Sequence, residues 1–350
     1  MSAPVDIGGR LVGSGHPLYF IAEAGVNHDG RLERALALVD AAADAGADAV
    51  KFQIFDVDRL VARGTSKAAY QEAAGGPAET QDEMLRRLQL EQPAFEEVAQ
   101  RAHSRGVAFM ASPFDEGSVD LLLALGAPAI KIASPDLVNL PLVAYAARTR
   151  LPLVLSTGMA DLDEARAAVA CARTAQAGGL VVLHCVSAYP ARPEDANLAA
   201  MATLAGELDV PVGFSDHTLG SAVSVAAAAL GACVIEKHLT LDRSAPGPDH
   251  AASLEPSQLA ELIAACRDAA AAIGDGVKRP VEAELVNLPV VRRSVAAAAD
   301  LPAGTVLSKA TLLALRPGTG IPAAQLEEIV GRRLVRAVNR HQLLDPEDLA

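Results

Sequence analysis

The stretch Leu230-Gly-Ala-Cys-Val-Ile-Glu-Lys-His238 contains the pattern that decides the fold. An Ala-rich helical run ends at Leu230, and Gly231 supplies the left-handed residue that closes a last helical turn. A short apolar run follows, and Glu236, Lys237 and His238 place ionisable groups at its C-terminal end. The same unit repeats along the chain. Predicted strands are Tyr19–Glu23, Ala49–Gln53, Ala108–Ser112, Ala129–Ser134, Leu153–Ser156, Val181–Val186, Val212–Ser215 and Cys233–His238. Between them lie helical stretches such as Arg31–Ala45, Gln81–Ser104, Asp163–Ala177 and Ser257–Ala272, with apolar residues at three- and four-residue spacing. Glycines mark further helix-to-strand junctions at Gly46, Gly106 and Gly126.

Apolar strands alternating with helices predict a parallel sheet covered on both faces. Eight such units over about 250 residues fit a closed (β/α)₈ barrel better than an open doubly wound sheet. No G-x-G-x-x-G follows the first strand, which argues against a dinucleotide fold. The pattern changes after residue 275. Short segments broken by Asp300-Leu-Pro-Ala-Gly304, Arg316-Pro-Gly-Thr-Gly320 and Asp345-Pro346 predict small strands and turns. The expected organisation is a barrel over 1–273, a linker over 274–290 and a small domain over 291–350. About 60 residues is marginal for independent stability, so that domain needs support from elsewhere.

Composition narrows the function. With 30 Lys+Arg against 43 Asp+Glu the net charge is −13, which argues against general nucleic-acid binding, since that needs a cationic footprint. The four cysteines have no C-x-x-C spacing, and are expected to be reduced, cytoplasmic thiols. The N-terminus carries no basic start followed by an apolar run, so no signal peptide is expected. From His217 to Ile235 the chain has no Asp, Glu, Lys or Arg. Its Ala, Gly and Ser content reads as a buried helix running into a buried strand and not as a membrane span.

A barrel builds its site at the C-terminal ends of its strands, and the unusual residues gather there. Lys51 and Lys131 are costly to bury unless each meets an anion; the alternative is two strand-end lysines reaching solvent. With Ser112, Ser134, Ser156 and Ser215 they would form a ring of cations and hydroxyl donors suited to a small phosphate-carboxylate ligand. His217 and His238 end adjacent strands and could converge on one metal ion, leaving open positions for water or substrate. Glu23, Glu236 and Asp249 could orient a sugar or move protons, or be structural partners of nearby Lys or Arg.

These segments together resemble the sialic acid synthase family. The resemblance is carried by Ile21-Ala-Glu-Ala-Gly-Val-Asn-His28, Val50-Lys-Phe-Gln53, Ser112-Pro-Phe114, Lys131-Ile-Ala-Ser134 and Leu155-Ser-Thr-Gly-Met159. It continues through Leu183-His-Cys185, Tyr189-Pro190, Gly213-Phe-Ser-Asp-His-Thr218, Glu236-Lys-His-Leu-Thr-Leu-Asp242 and Gly247-Pro-Asp-His250. Arg292-Arg-Ser294 and Arg316-Pro-Gly-Thr-Gly-Ile321 resemble that family's antifreeze-like SAF domain, a β-clip type.

The resemblance implies a cytoplasmic enzyme that condenses phosphoenolpyruvate with an N-acetylated aminohexose, releasing phosphate and a nine-carbon 2-keto sugar acid. N-acetylmannosamine, giving N-acetylneuraminate, is the leading acceptor. A 2,4-diacetamido-6-deoxyhexose, giving legionaminic or pseudaminic acid, is the alternative; a metal-dependent aldolase and a non-enzymatic sugar- or ice-binding protein are weaker ones. Mn²⁺ is the implied metal, with Mg²⁺ or Co²⁺ as substitutes, held by His217 and His238. Lys51, Ser112, Lys131, Ser134, Ser156, Ser187 and Ser215 would hold phosphoenolpyruvate. Glu23, Gln53, Tyr189 and Asp249 would contact the sugar, and Glu236 would stand near the reacting groups. Asp136 would be a proton-transferring carboxylate. Arg316 would reach the sugar's acyl group from the partner chain of a homodimer with swapped tail domains. The chain departs from the family at three of these positions. Ser112 stands where Thr is usual and Ser187 where Asn is usual, while Asp136 is one methylene shorter than the usual Glu.

Overall fold

The computed structural model describes residues 2–73 and 77–350. These form two compact units, Met1–Gly274 and Asp275–Ala350. The first opens with a small antiparallel hairpin, β1 (Val5–Ile7) and β2 (Arg10–Val12). Eight parallel strands follow. They are β3 (Tyr19–Gly25), β4 (Ala49–Ile54), β5 (Ala108–Pro113) and β6 (Ile130–Ile132), then β7 (Pro152–Ser156), β8 (Gly179–Cys185), β9 (Val212–Asp216) and β10 (Val234–His238).

Their order in the sheet is β5-β4-β3-β10-β9-β8-β7-β6. The last strand thus returns to the first, with Val234 opposite Tyr19 and His238 opposite Glu23. Strands β5 and β6, at the two ends of this order, lie against each other and complete a TIM-type barrel. Outward residues such as Phe20, Val50, Phe52 and Ile235 pack under the surrounding helices. Inward residues, among them Tyr19, Ile21, Met110, Val154, Val181 and Val234, fill the interior in one cluster. Strand alternation sends each set to its own face.

The hairpin is not expected from sequence, because its runs are only three residues long. Gly8 and Gly9 (φ 62° and 86°) form its turn, where two consecutive positive φ values are needed. Val5, Ile7 and Val12 join the inner cluster, and β1 lies against β7 and β8. Gly179 admits it: a Cβ there would lie 2.6 Å from Val5 Cγ1.

All eight barrel strands fall where the sequence places them, but two helical details differ. The stretch expected as one helix over Gln81–Ser104 is two, Gln81–Leu88 and Gln92–Ser104. Pro93 occupies the first turn of the second, where its missing N–H is tolerated; inside one continuous helix it would remove an i→i−4 hydrogen bond and clash with the preceding turn. Strand β6 stops at Ile132 and gives way to a 3₁₀ turn, Ser134–Asp136, again with a proline inside. The charge-free run after His217 is helix Ala222–Ala229 followed by β10. Among the described residues no helix is long and apolar enough to cross a membrane. The four cysteines are unpaired.

In the second unit β11 (Ser294–Ala297) pairs antiparallel with β12 (Leu312–Leu315). Short 3₁₀ turns and single bridges surround a core that includes Val295, Leu307, Ile321, Leu334 and Leu344. Within 275–291 lie two short helices, Glu282–Leu285 and Leu288–Val291, where the sequence suggests only a linker.

Candidate active site

The parallel register sets one layer of polar side chains at the C-terminal ends of the strands. Glu23 is opposite both Lys51 and His238, Gln53 is opposite Ser112, and Ser215 is opposite both Glu236 and Cys185. Parallel partners face the same side, so these groups share the barrel mouth. They line a cavity of about 420 Å³.

At its base Lys51 and Lys131 are each only 2–3 % exposed. Neither reaches solvent. Lys51 Nζ lies 2.6 Å from Glu23 Oε2 and 3.7 Å from Glu236 Oε2, and donates to Ser112 Oγ at 3.3 Å. Lys131 Nζ donates to the Ile132 carbonyl at 3.2 Å and stands 4.0 Å from Glu236 Oε1. Ser215 Oγ donates to the same Glu236 oxygen at 2.9 Å. Two cations and two carboxylates therefore interlock.

Their protonation follows from burial against Coulomb attraction. Burial pushes the Glu23 carboxyl up to about 7, although Lys51 opposes it. Burial also favours neutral Glu236, but Lys131 and Lys51 outweigh it and hold this carboxyl below its ordinary value. Burial lowers Lys131, whereas Glu23 and Glu236 overcome the same effect at Lys51 and raise it.

The two histidines meet as expected, with ring centroids 5.3 Å apart. His217 Nδ1 lies 2.8 Å from the Val186 carbonyl. Donating there fixes the tautomer and leaves Nε2 as a lone-pair donor. His238 Nδ1 is buried and has no hydrogen-bond partner. Burial first, and then the positive charges of His217 and Lys51, push His238 well below the usual imidazole range, so it is neutral. At His217 the effect of burial is overcome by Cys185 and the Val186 carbonyl, which raise it, so His217 would give up a proton as a cation binds. His238, already neutral, and the Nε2 of His217 then suit a divalent cation. Among the described residues no group of three or more His, Cys, Asp or Glu side chains is placed to hold a metal. A cation here would have two protein nitrogens and complete its shell with water and substrate oxygen.

The remaining expected residues are distributed as follows. Tyr189 lies tilted by 40° against His217, with ring centroids 4.2 Å apart, and meets His238 edge-on at 5.9 Å. Ser156 Oγ is buried without a partner and lines the cavity. Ser134 Oγ accepts from the Gly158 N–H at 3.0 Å. Asp136 lies on the wall, bonded to Asn139 at 3.0 Å, with its carboxyl raised by burial. Asp249 and Gln53 gather with Glu23 around Gly25. A Cβ there would lie 3.3 Å from Glu23 Oε1, 3.4 Å from Asp249 Oδ2 and 3.5 Å from Gln53 Nε2. Burial raises Asp249. Ser187 is set aside from the cavity lining, against Gly158 and next to Ser134. Arg316 belongs to the second unit and is exposed after β12.

Some motif residues are structural. Asn27 Nδ2 donates to the Leu239 carbonyl and to Ser253 Oγ, both at 2.9 Å. His250 bridges Thr240 Oγ1 at 2.7 Å and Asp29 Oδ1 at 3.1 Å. Both tie the loop after β3 to the loop after β10. Sequence reasoning missed part of the cavity wall: Cys185 between Ser134 and His217 (3.7 and 3.8 Å), and Leu60, Val61, Gln71, Gln81, Leu85 and Phe114. Cys185 and Phe114 were visible as strand-end residues. The others come from short local structure between β4 and the helix Gln92–Ser104, which has no barrel periodicity to reveal it.

A TIM-type barrel with buried lysines, serines and a histidine pair gathered at its mouth has the layout of a barrel enzyme, with its site at the C-terminal ends of the strands. Comparison with known proteins gives the lineage. Residues 38–278 match the NeuB family and residues 292–350 match the SAF domain. The chain is 46% identical over 326 residues to the N,N'-diacetyllegionaminic acid synthase of Legionella pneumophila, covering 92% of each. It is 42% identical to the Campylobacter jejuni protein of the same name, covering 93% of this chain and 98% of that one. The crystal structure of N-acetylneuraminic acid (sialic acid) synthetase from Leptospira borgpetersenii, in complex with citrate, superposes with a TM-score of 0.74 at 34% identity. It covers 82% of this chain and 95% of that one. The chain belongs to the NeuB family, and it is an enzyme of the sialic-acid-synthase type with a C-terminal SAF domain.

Proposed function

We propose that the chain condenses phosphoenolpyruvate with a 2,4-diacetamido-6-deoxyhexose to form a legionaminic-acid-type 2-keto sugar acid. The sequence reading puts N-acetylmannosamine first. The order is reversed here because the two legionaminic acid synthases are 46% and 42% identical over more than nine-tenths of the chain. The observation that carries the reaction type is the base of the cavity, where Lys51, Lys131 and four serines surround one buried space.

In this reading Lys51, Lys131, Ser112, Ser134, Ser156 and Ser215 bind the carboxylate and phosphate, with Ser187 close behind Ser134. Lys51 and Lys131 are already matched by Glu23 and Glu236, so a multiply charged anion entering beside them brings uncompensated charge. A divalent cation, with Mn²⁺ as the first candidate, held by His217 and His238 would balance that charge. When bound it would supply Lewis-acid stabilisation of the negative charge that develops on the sugar's carbonyl oxygen. Glu23, Gln53, Asp249 and Tyr189 orient the sugar, and the phosphoenolpyruvate methylene carbon attacks its carbonyl carbon to form the new C–C bond. Water then adds to the former enol carbon, the C–O bond to phosphate breaks as the added hydroxyl passes its remaining proton to the departing phosphate, and the keto group remains. The proton lost by water is matched by one gained on the new hydroxyl, with Glu23 or Asp136, both raised by burial, available to carry it. Glu236, held ionised by the lysines, fixes their positions during phosphate departure.

The reading includes a homodimer in which each SAF domain brings Arg316 to its partner's sugar site. Val277, Val281, Leu285, Val286, Val290 and Val291 support it: all are exposed (44–73 %) in the segment that leads into the SAF unit, and an apolar set of this size calls for a covering surface. Four unpaired cysteines suit a cytoplasmic setting. The test is phosphate release from phosphoenolpyruvate with Mn²⁺ and each of the two sugars. Faster release with the 2,4-diacetamido-6-deoxyhexose is expected, and faster release with N-acetylmannosamine, or none with either sugar, overturns the reading.

A further inference from the structure

The upper wall of the cavity is chemically unlike its base. Leu60, Val61, Leu85 and Phe114 present apolar surface, and Gln71 and Gln81 stand with them. This wall has its own foundation. Val26, Phe55, Val57, Met84 and Leu88 form a separate buried cluster, against which Leu60, Val61, Leu85 and Phe114 pack. Polar closures hold it: Asp56 accepts from the Asp58 N–H at 3.0 Å, Glu83 from the Thr80 N–H at 2.9 Å, and Asp82 from the Gly64 N–H at 3.0 Å. The two glutamines are mutually fixed. Gln81 Nε2 donates to Gln71 Oε1 at 3.2 Å, and the Ala68 N–H donates to the same oxygen at 2.9 Å. A pre-positioned wall of this kind can discriminate between ligands, because its groups lose little freedom when one binds.

We infer that this wall is the selectivity element for the far end of the acceptor. The Leu60, Val61 and Leu85 face receives a methyl group where other acceptors carry a hydroxymethyl, and the Gln81 amide, held in place by Gln71, reads a second acetamido group. The inference rests on the proposed function, since it assumes a sugar docked by its carbonyl end beside the histidines. The chemistry matches at both points. An apolar face desolvates a C6 hydroxyl without returning a hydrogen bond, a cost a methyl group does not carry. An acetamido group offers one donor and one acceptor, the complement of an amide side chain. Phe114 lines the same cavity and packs against the same apolar cluster as this face.

The test compares kcat/KM for a 2,4-diacetamido-6-deoxyhexose and for N-acetylmannosamine in wild type, Val61→Thr, Leu85→Asn and Gln81→Leu. Val61→Thr is nearly isosteric, so it keeps the readout if Leu85→Asn fails to fold. A methyl-sized discrimination in an apolar pocket is worth about 10–200-fold. Wild type is expected to favour the diacetamido sugar, and Val61→Thr and Leu85→Asn to move the ratio toward N-acetylmannosamine by about tenfold or more. Gln81→Leu should lower use of the diacetamido sugar more than that of N-acetylmannosamine. Phosphoenolpyruvate affinity, measured by calorimetry, should stay at the wild-type value in all three. If wild type favours the diacetamido sugar and no variant shifts the ratio, the wall is not the selectivity element and the proposed function stands. If wild type favours N-acetylmannosamine or uses neither sugar, the proposed function fails and this assignment falls with it.

Discussion

Two buried sets of lysine and carboxylate sit on opposite faces of β10, and only the outer one is closed around its ion pair. On the outer face Lys237 Nζ lies 2.9 Å from Asp216 Oδ2 and donates to the Thr218 carbonyl at 2.5 Å. The same carboxylate accepts from Ser224 Oγ at 2.5 Å and from the Thr218 N–H at 2.8 Å. On the inner face, Glu236 lies between Lys51 and Lys131 at 3.7 and 4.0 Å, and Glu236 Oε2, Ser156 Oγ and His238 Nδ1 lack hydrogen-bond partners. Consecutive residues thus serve different ends. Every oxygen of the Asp216 carboxylate is used by protein partners, whereas the unpartnered inner atoms line the cavity at the barrel mouth, where an entering molecule can meet them.

Each variant below can break that distinction, and the largest effect is expected at the histidines. His217→Ala or His238→Ala removes one of two nitrogen ligands for the proposed cation. Turnover should fall about a thousandfold, the equivalent of several kcal/mol, with the melting temperature nearly unchanged. Phosphate release and thermal unfolding check it, and wild-type turnover by both variants in the presence of a chelator would remove the metal from the account. Second, Asp216→Ala breaks the closed pair and strands a buried ammonium, which costs about 3–5 kcal/mol. That should lower the melting temperature by about 10 °C, while activity per folded chain survives at low temperature. A variant that stays stable but loses turnover would place Asp216 in the site.

The outer set also shows what could be read from sequence. Apolar runs, terminal glycines and polar strand ends revealed the barrel, since each follows from local rules repeated eight times. Left-handed Gly46, Gly106, Gly126 and Gly231 (φ 70–93°) do close helix ends as expected. Strand alternation puts Glu236 and His238 on one face, and the sequence assigns both to the site; it did not say that Lys237, on the other face, pairs with Asp216, since that depends on register with β9. Nor did it reveal the hairpin under the barrel or the short helix that carries Leu60, where runs of three or four residues are too short for periodicity to register, and the helical reading from Gln81 did not say that Gln81 and Leu85 face the cavity. Asn27 and His250 stand in specific motifs yet serve loop packing, because motif membership alone does not separate binding from support.

A smaller effect tests the second unit. Arg316→Ala and His217→Ala chains, each impaired alone, should recover activity when their subunits exchange, if Arg316 serves the partner's barrel. Random exchange puts half the chains in mixed dimers with one intact site of two, so recovery should approach about a quarter of the wild-type rate per site. No recovery despite demonstrated exchange would mean that the SAF domain acts on its own chain.

The central claim is that the inner, incomplete set is the phosphoenolpyruvate site. Calorimetric titration of phosphoenolpyruvate into wild type, Lys51→Ala and Lys131→Ala tests it most directly. Loss of a charge-assisted contact is worth about 1.5–3 kcal/mol, so each variant should bind about ten- to a hundredfold more weakly, and Lys237→Met, measured where it is folded, as tightly as wild type. Equal affinity in Lys51→Ala, Lys131→Ala and wild type would contradict the account.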